Sequence, residues 1–298
     1  MECSAEPTGF HYVGNLIRPP SEADSILIQA TVGCSHNKCS FCCTYRDKRF
    51  AIKDQAILES DLRFAEKYCR RQTRVFIMDG DALIMPMPRW EWLLGEIQRR
   101  LPWVTRVGAY ANAKGVAMKS DADLARLKEL GLGIVYYGVE SGDAEVLKAV
   151  NKGSTPEKLI AQGRRIKAAG IQLSVTVLVG LGGAEGSLRH ARATGQILSE
   201  MDPDFVGALT LMPIPGTPLG DEVLAGRFRH PDKLGMLREL REMIATTHLS
   251  GGLFYANHAS NYLPIRARLP QDKERTLALI DAALGGKVGL KPEWLRAL

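Results

Sequence analysis

The 298-residue chain reads as an α/β protein, an open, partial (β/α)6 barrel of TIM type with a C-terminal extension. Two observations predict this. Short runs rich in Val, Ile, Leu, Tyr and Phe alternate with stretches of helical periodicity, and six such β-then-α units follow one another without an internal repeat or a low-complexity linker. Strands that alternate with helices in this way form parallel sheets with right-handed crossovers. Six units fall short of the eight that close a full barrel, so an open barrel is expected, with a doubly wound sheet as the alternative.

In order, the β-rich runs are 26–32, 74–80, 106–113, 133–141, 172–180 and 204–213. Their near-continuous apolar character is that of strands buried on both faces. The helical stretches are 54–71, 88–101, 121–130, 156–169 and 187–201. Ser120-Asp121 supplies a helix start, and Ser154-Thr155-Pro156-Glu157 opens another with proline in the first turn. Gly131 and Gly170 stand where helix C-caps belong. After about residue 214 the pattern loosens into a Pro/Gly-rich turn, a helix at 232–247, a short apolar strand at 252–256, a polar cluster at 257–262 and a last helix at 271–284. The organisation expected is an N-terminal segment (1–24), a barrel (25–215) and an extension that closes its open side (216–298).

Composition is that of a globular protein, 45% hydrophobic and 24% charged. No stretch approaches the roughly 20 apolar residues of a membrane span, and the first residues lack the basic-then-apolar pattern of a signal peptide. A cytoplasmic location is therefore expected. The net charge of +6 is spread along the chain, including Arg46, Lys48 and Arg49. It reads as a solvated basic face or as attraction to an anionic partner, such as an acidic electron donor or a nucleic acid.

The six cysteines do not suggest a disulfide framework, because four crowd into residues 34–43. The segment Gly33-Cys34-Ser35-His36-Asn37-Lys38-Cys39-Ser40-Phe41-Cys42 follows the first strand directly, where the loops of α/β barrels carry active sites. Three thiolates on one loop can hold three irons of a 4Fe–4S cluster, whereas an electron-transfer cluster uses four cysteines. Structural zinc is a second reading, with His36 or Cys43 as fourth ligand. A redox pair at Cys39 and Cys42 is a third, but it leaves Cys34 without a role. Cys43 is expected to point away and pack, and Cys3 and Cys69 to be structural.

The loop resembles the radical S-adenosylmethionine (SAM) superfamily, whose common pattern is CxxxCxxC with an aromatic before the last cysteine. Phe41 fills the aromatic place, and the first gap here is four residues instead of three. The resemblance covers roughly residues 25–215 and is specific to the superfamily, not to a reaction. It implies that Cys34, Cys39 and Cys42 ligate a 4Fe–4S cluster whose open iron takes the amino and carboxylate groups of SAM. Asp79-Gly80-Asp81 resembles the glycine-rich motif that receives the SAM amino group. The segment Tyr137-Gly138-Val139-Glu140, followed by Asn151-Lys152, resembles the coproporphyrinogen-oxidase-like and methylthiotransferase-like branches. There Glu140 falls on a ribose contact and Lys152 on a contact to the SAM carboxylate. Thr176 stands where related enzymes often carry a carboxylate toward the ribose, and Leu211 and Met212 lie on a strand resembling the one whose backbone reads adenine, with plain packing the alternative for Met212.

What the resemblance implies is an enzyme that reductively cleaves SAM to a 5′-deoxyadenosyl radical, which then takes hydrogen from a substrate. With no later cysteine cluster and no appended cobalamin, RNA-binding or acetyltransferase region in the sequence, a small polar substrate is expected before RNA, which stays open. Asn257, His258 and Asn261 are the candidate substrate residues, since buried polar groups need partners. Asn112 and His190 are further candidates for the barrel mouth, though a lone histidine is usually satisfied within the fold. A low-potential donor, flavodoxin or ferredoxin, is the expected partner. The alternative from a different class is an iron–sulfur electron carrier without SAM chemistry.

Overall fold

The computed structural model describes residues 9–297, so Cys3 lies outside the described residues. The chain divides into two compact units, one up to Asn37 with Thr44–Tyr136 and Ala168–Gln172, the other of Lys38–Cys43, Tyr137–Lys167 and everything from Leu173 on.

The first unit begins with β1 (Ile26–Ile28) and β2 (Thr31–Val32). The single run expected at 26–32 is thus two strands, because it changes partner: Ile26–Ile28 pair parallel with β4, whereas Thr31–Val32 pair antiparallel with β3, and between them the Gln29 side chain bonds the main chain of Val13 and the Asp79 carboxylate. β2 pairs antiparallel with β3 (Ala51–Ile52), which pinches the base of the 33–50 excursion that carries the cysteines. α1 (Gln55–Tyr68) follows, burying Leu58, Leu62 and Ala65 at helical spacing. Then come β4 (Arg74–Ile77) and α2 (Met87–Arg100), whose Trp90, Leu93, Leu94 and Ile97 form one buried stripe. β5 (Arg106–Ala111) leads into a short α3 (Ala113–Ala117) and α4 (Asp121–Glu129), which opens on a reciprocal capping box between Ser120 and Asp123. β1, β4 and β5 run parallel, with Leu27 opposite Phe76 and Phe76 opposite Gly108.

β6 (Leu132–Glu140) contributes its first residues to this unit and its last to the second. The second unit continues through α5 (Ala144–Ala149), α6 (Pro156–Ala168), β7 (Gln172–Val179), α7 (Gly183–Met201) and β8 (Phe205–Thr210). α8 (Pro218–Leu224), α9 (Lys233–Thr246), β9 (Leu253–Tyr255), β10 (Arg266–Arg268) and α10 (Lys273–Leu284) complete it. β7 pairs parallel with β8, and β8 parallel with β9, while β10 closes the edge antiparallel to β9. The apolar segment expected at 252–256 is therefore a further parallel strand. The region after residue 214 adds sheet as well as helix.

Gly142, just beyond β6, shows how tightly one turn is fitted to α7. Its N–H donates to Thr194 Oγ1 at 3.0 Å, and a Cβ there would run into the Ala193 carbonyl. Backbone cannot swing aside as a flexible side chain can, so Gly142→Ala is expected to lower stability by roughly 1–3 kcal/mol. Thermal unfolding measures it, and an unchanged melting temperature would contradict this packing.

Candidate functional site

Several strands end on a left-handed residue: Gly33 after β2 (φ 78°), Asp79 after β4 (φ 70°), Glu140 closing β6 (φ 67°) and Gly180 after β7 (φ 91°). Glycine adopts this conformation freely, whereas Asp and Glu do so at a cost that other contacts must offset. Asp79 and Glu140 are both candidate site residues in the sequence, and each has such contacts.

Asp79 is completely buried. Its Oδ2 accepts from the Gly33 N–H at 2.7 Å and from Gln29 Nε2 at 3.0 Å, while Oδ1 is buried without a partner. Burial pushes its carboxyl above the usual range, partly countered by the Gly33 and Gln29 bonds and by the charges of Lys48 and Lys53. Asp81, also completely buried, accepts from Ser35 Oγ at 2.6 Å through Oδ2 and from the Asn112 N–H at 3.3 Å through Oδ1. Burial pushes it up to about 6 against those bonds. Asn112 also donates from Nδ2 to Ser35 Oγ at 3.3 Å and caps α3 by accepting from the Gly115 N–H. Gly80, between the two acids, donates its N–H to the Gly33 carbonyl at 3.1 Å. A Cβ on Gly80 would lie 2.9 Å from Cys34 Cβ and 2.7 Å from the Tyr45 ring.

Cys34, Cys39 and Cys42 are thiols outside any disulfide, each partly buried, whereas Cys43 is exposed. The packing role expected for Cys43 is thereby corrected. Among the described residues no three His, Cys, Asp or Glu side chains already stand together as a metal site. The segment 38–43 is held through its backbone: the Ser40 N–H donates to the Val150 carbonyl at 2.9 Å, and the Leu219 N–H donates to the Ser40 carbonyl at 3.0 Å. Phe41 packs on a cluster of Val146, Val150, Leu181, Leu211 and Leu219. Neither Ser40 nor Leu219 was singled out from the sequence, because nothing local in either segment names its partner. Lys48, counted among the surface charges, is buried, with Nζ donating to the Asn15 carbonyl at 2.8 Å. Arg46 and Arg49 are exposed, with exposed Asp47 between them.

Glu140 and Lys152 form a largely shielded ion pair at 2.9 Å. It lies over Gly138, where a Cβ would come within 2.7 Å of Glu140 Oε1 and 3.2 Å of Lys152 Nζ. Thr176 is partly exposed on β7, opposite Gly207 of β8. Leu211 is buried with both backbone groups in use. Its N–H donates to the Val179 carbonyl at 2.8 Å, and its carbonyl lies 3.3 Å from His230 Nε2 and 3.4 Å from Arg296 Nη2. Met212 is partly exposed.

The polar cluster 257–262 is largely satisfied within the protein. Asn261 accepts from Thr210 Oγ1 at 2.7 Å and donates to the Ala208 carbonyl at 2.9 Å, and Ser260 Oγ accepts from the Thr210 N–H at 3.1 Å. His258 Nδ1 lies 2.9 Å from Ser260 Oγ, and Asn257 is exposed. Asn261 therefore ties this segment to β8, while Asn257 and His258 remain nearer solvent.

A family model described as the Radical SAM superfamily matches residues 28–188. An uncharacterized methyltransferase, PH0819 of Pyrococcus horikoshii, is 27% identical over 99 residues, 33% of this chain and 21% of that protein. The radical S-adenosylmethionine methyltransferase TsrM of Kitasatospora setae, solved with cobalamin and a 4Fe–4S cluster bound, is similar with TM-score 0.53 and 18% identity, over 89% of this chain and 54% of that one. Coproporphyrinogen III oxidase (HemN) of Escherichia coli is similar with TM-score 0.52 and 15% identity, over 74% and 51%. The chain thus spans about a fifth of the curated relative and about half of each of these solved structures.

His190 is satisfied inside the second unit. It is fully buried, with Nδ1 3.2 Å from Ser141 Oγ and Nε2 3.1 Å from the Leu178 carbonyl. Burial pushes it down to about 4 from 6.5. Between those values the unfolded chain takes a proton that the folded chain refuses, so this residue's stabilisation is present above pH 6.5 and lost as pH falls toward 4. Wild type is expected to lose roughly 2–3 kcal/mol more stability across that window than His190→Asn. Denaturant unfolding at several pH values measures the difference, and parallel pH profiles would refute it.

Proposed function

The chain belongs to the radical SAM superfamily, and on that premise we propose that it is a radical SAM enzyme in which Cys34, Cys39 and Cys42 ligate a 4Fe–4S cluster. The family-model match, which covers more than half of the chain, is the observation that carries this reading. Among the described residues no helix is long and apolar enough to cross a membrane, and a cytoplasmic enzyme fits a cluster held by thiols.

The residues present suit both cofactors. Three thiols on one loop are the donors an iron–sulfur cluster takes, with one iron left for SAM. The orphaned Asp79 Oδ1 is a buried acceptor of the kind a bound ammonium group satisfies. The gap left by Gly138 gives the Glu140–Lys152 pair room. With cluster and SAM bound, the chemistry supplied is one-electron cleavage of SAM to methionine and a 5′-deoxyadenosyl radical that takes hydrogen from substrate.

In this reading Asp79 serves the SAM amino end through its orphaned Oδ1, and Gly80 and Asp81 complete the turn that presents it. Lys152 pairs the SAM carboxylate, and Glu140 accepts from the ribose hydroxyls. Thr176 and the backbone of Met212 face the adenosine. Leu211 acts through packing, since its main chain is committed elsewhere. Residues 25–215 carry the chemistry and 216–298 shield it. Asn257 and His258 meet a small polar substrate, and Asn261 fixes their segment to β8. Arg46 and Arg49 attract an acidic flavodoxin or ferredoxin.

The anaerobically prepared protein is expected to hold about four irons. Cys34→Ala, Cys39→Ala and Cys42→Ala should each abolish that content, and Cys43→Ala should not. Retention of iron by Cys34→Ala with loss in Cys43→Ala would refute the ligand set. Lys152→Ala should keep the iron and weaken SAM binding by about one to two decades, the cost of one charge-assisted bond. An unchanged SAM dissociation constant would remove Lys152 from the site.

A further inference from the structure

We propose that Asp79-Gly80-Asp81 is a clamp that positions Cys34, with Asp79 and Asp81 acting on the cluster through the loop rather than by touching it. The proposal rests on the assignment of Cys34 as a cluster ligand. Its basis is that the two acids grip the residues on either side of that cysteine. Asp79 Oδ2 takes the N–H of Gly33, and Asp81 Oδ2 takes the hydroxyl of Ser35 at 2.6 Å. Between them the Gly80 N–H holds the Gly33 carbonyl, so the peptide groups on both sides of Gly33 are bonded to this one turn.

The fit at the centre is steric. Gly80 has no room for a side chain, because a Cβ would press on Cys34 Cβ and on the Tyr45 ring, itself buried. Gly115 is constrained in the same way behind Asp81, where a Cβ would collide with Oδ1. Asn112 completes the support by donating to both Ser35 Oγ and Asp81 Oδ1. Gln29 backs Asp79 from the other side. A carboxylate whose only role was to meet a ligand would not need its second oxygen fixed by two donors. Here both acids are buried and bonded to the loop, and the backbone of Asp79 is left-handed.

Groups that orient metal ligands without touching the metal govern retention of that metal by about ten- to a hundredfold. The test uses the holoprotein without SAM and follows transfer of iron to a ferrous chelator, with the electron paramagnetic resonance spectrum of the reduced cluster. Asp79→Ala, Asp81→Ala and the milder Ser35→Ala are expected to surrender iron roughly tenfold or more faster than wild type and to alter the SAM-free spectrum. Asp79→Asn keeps an oxygen for the Gly33 N–H and should restore retention. Iron transfer and SAM-free spectra identical to wild type in all three alanine variants, with only SAM affinity reduced, would overturn the clamp. If wild type itself held no cluster, the cysteine assignment would fail instead. Hydrogen exchange at the Gly33 amide would then decide the clamp alone: protected in wild type and lost in Asp79→Ala supports it, and equal exchange in both overturns it.

Discussion

A carboxylate removed from water must be given donors or it gives up its charge, and this constraint fixes the strand ends that matter here. Asp79 and Asp81 follow β4 with no exposure to solvent, and their donors come from Gln29, the loop of Cys34 and Asn112. Glu140 closes β6 and is met by Lys152. Gly180, at the end of β7, donates its N–H to the buried Glu239 of α9 at 2.5 Å. Burial pushes Glu239 up to about 7, in spite of that bond and one from Ser187. Asp79, Asp81 and Glu239 are buried acids that tie strand ends to segments distant in sequence, while the shielded Glu140 is met by a lysine twelve residues on.

The same constraint divides the candidate residues into those whose polar atoms are all engaged within the protein and those with an atom left over. Asp81 and Asn261 have both oxygens, or both amide groups, occupied by the protein. Asp79 has one oxygen occupied and one orphaned. Phe41, the aromatic before the last cysteine, is packed on apolar residues of α5, α8 and the ends of β7 and β8. The family pattern marks such positions without distinguishing them, whereas hydrogen-bond occupancy does.

Much of the fold was legible in the sequence because burial imposes a period. The stripe of Trp90, Leu93, Leu94 and Ile97 marks α2 without any partner being known. The cysteine loop stands out in the sequence because four of the six cysteines crowd into residues 34–43. Partners were not legible. Ser35 meets Asp81 across 46 positions, and Ser40 meets Val150 and Leu219 across more, so no local pattern connects them. The burial of Lys48 is not encoded locally either: its charge reads as surface, whereas its Nζ donates to the Asn15 carbonyl. The expected first strand is broken where the chain changes pairing partner, from β4 to β3, which propensity does not encode.

The central claim is that the thiols of the 33–50 loop serve SAM chemistry and not electron transfer alone. Anaerobic incubation of the reduced holoprotein with SAM, followed by quantification of the nucleoside and amino-acid products, tests it directly. The account predicts 5′-deoxyadenosine and methionine in equal amounts, abolished in Cys34→Ala. A protein that carries a reducible cluster, yet neither binds SAM nor releases 5′-deoxyadenosine, would contradict it.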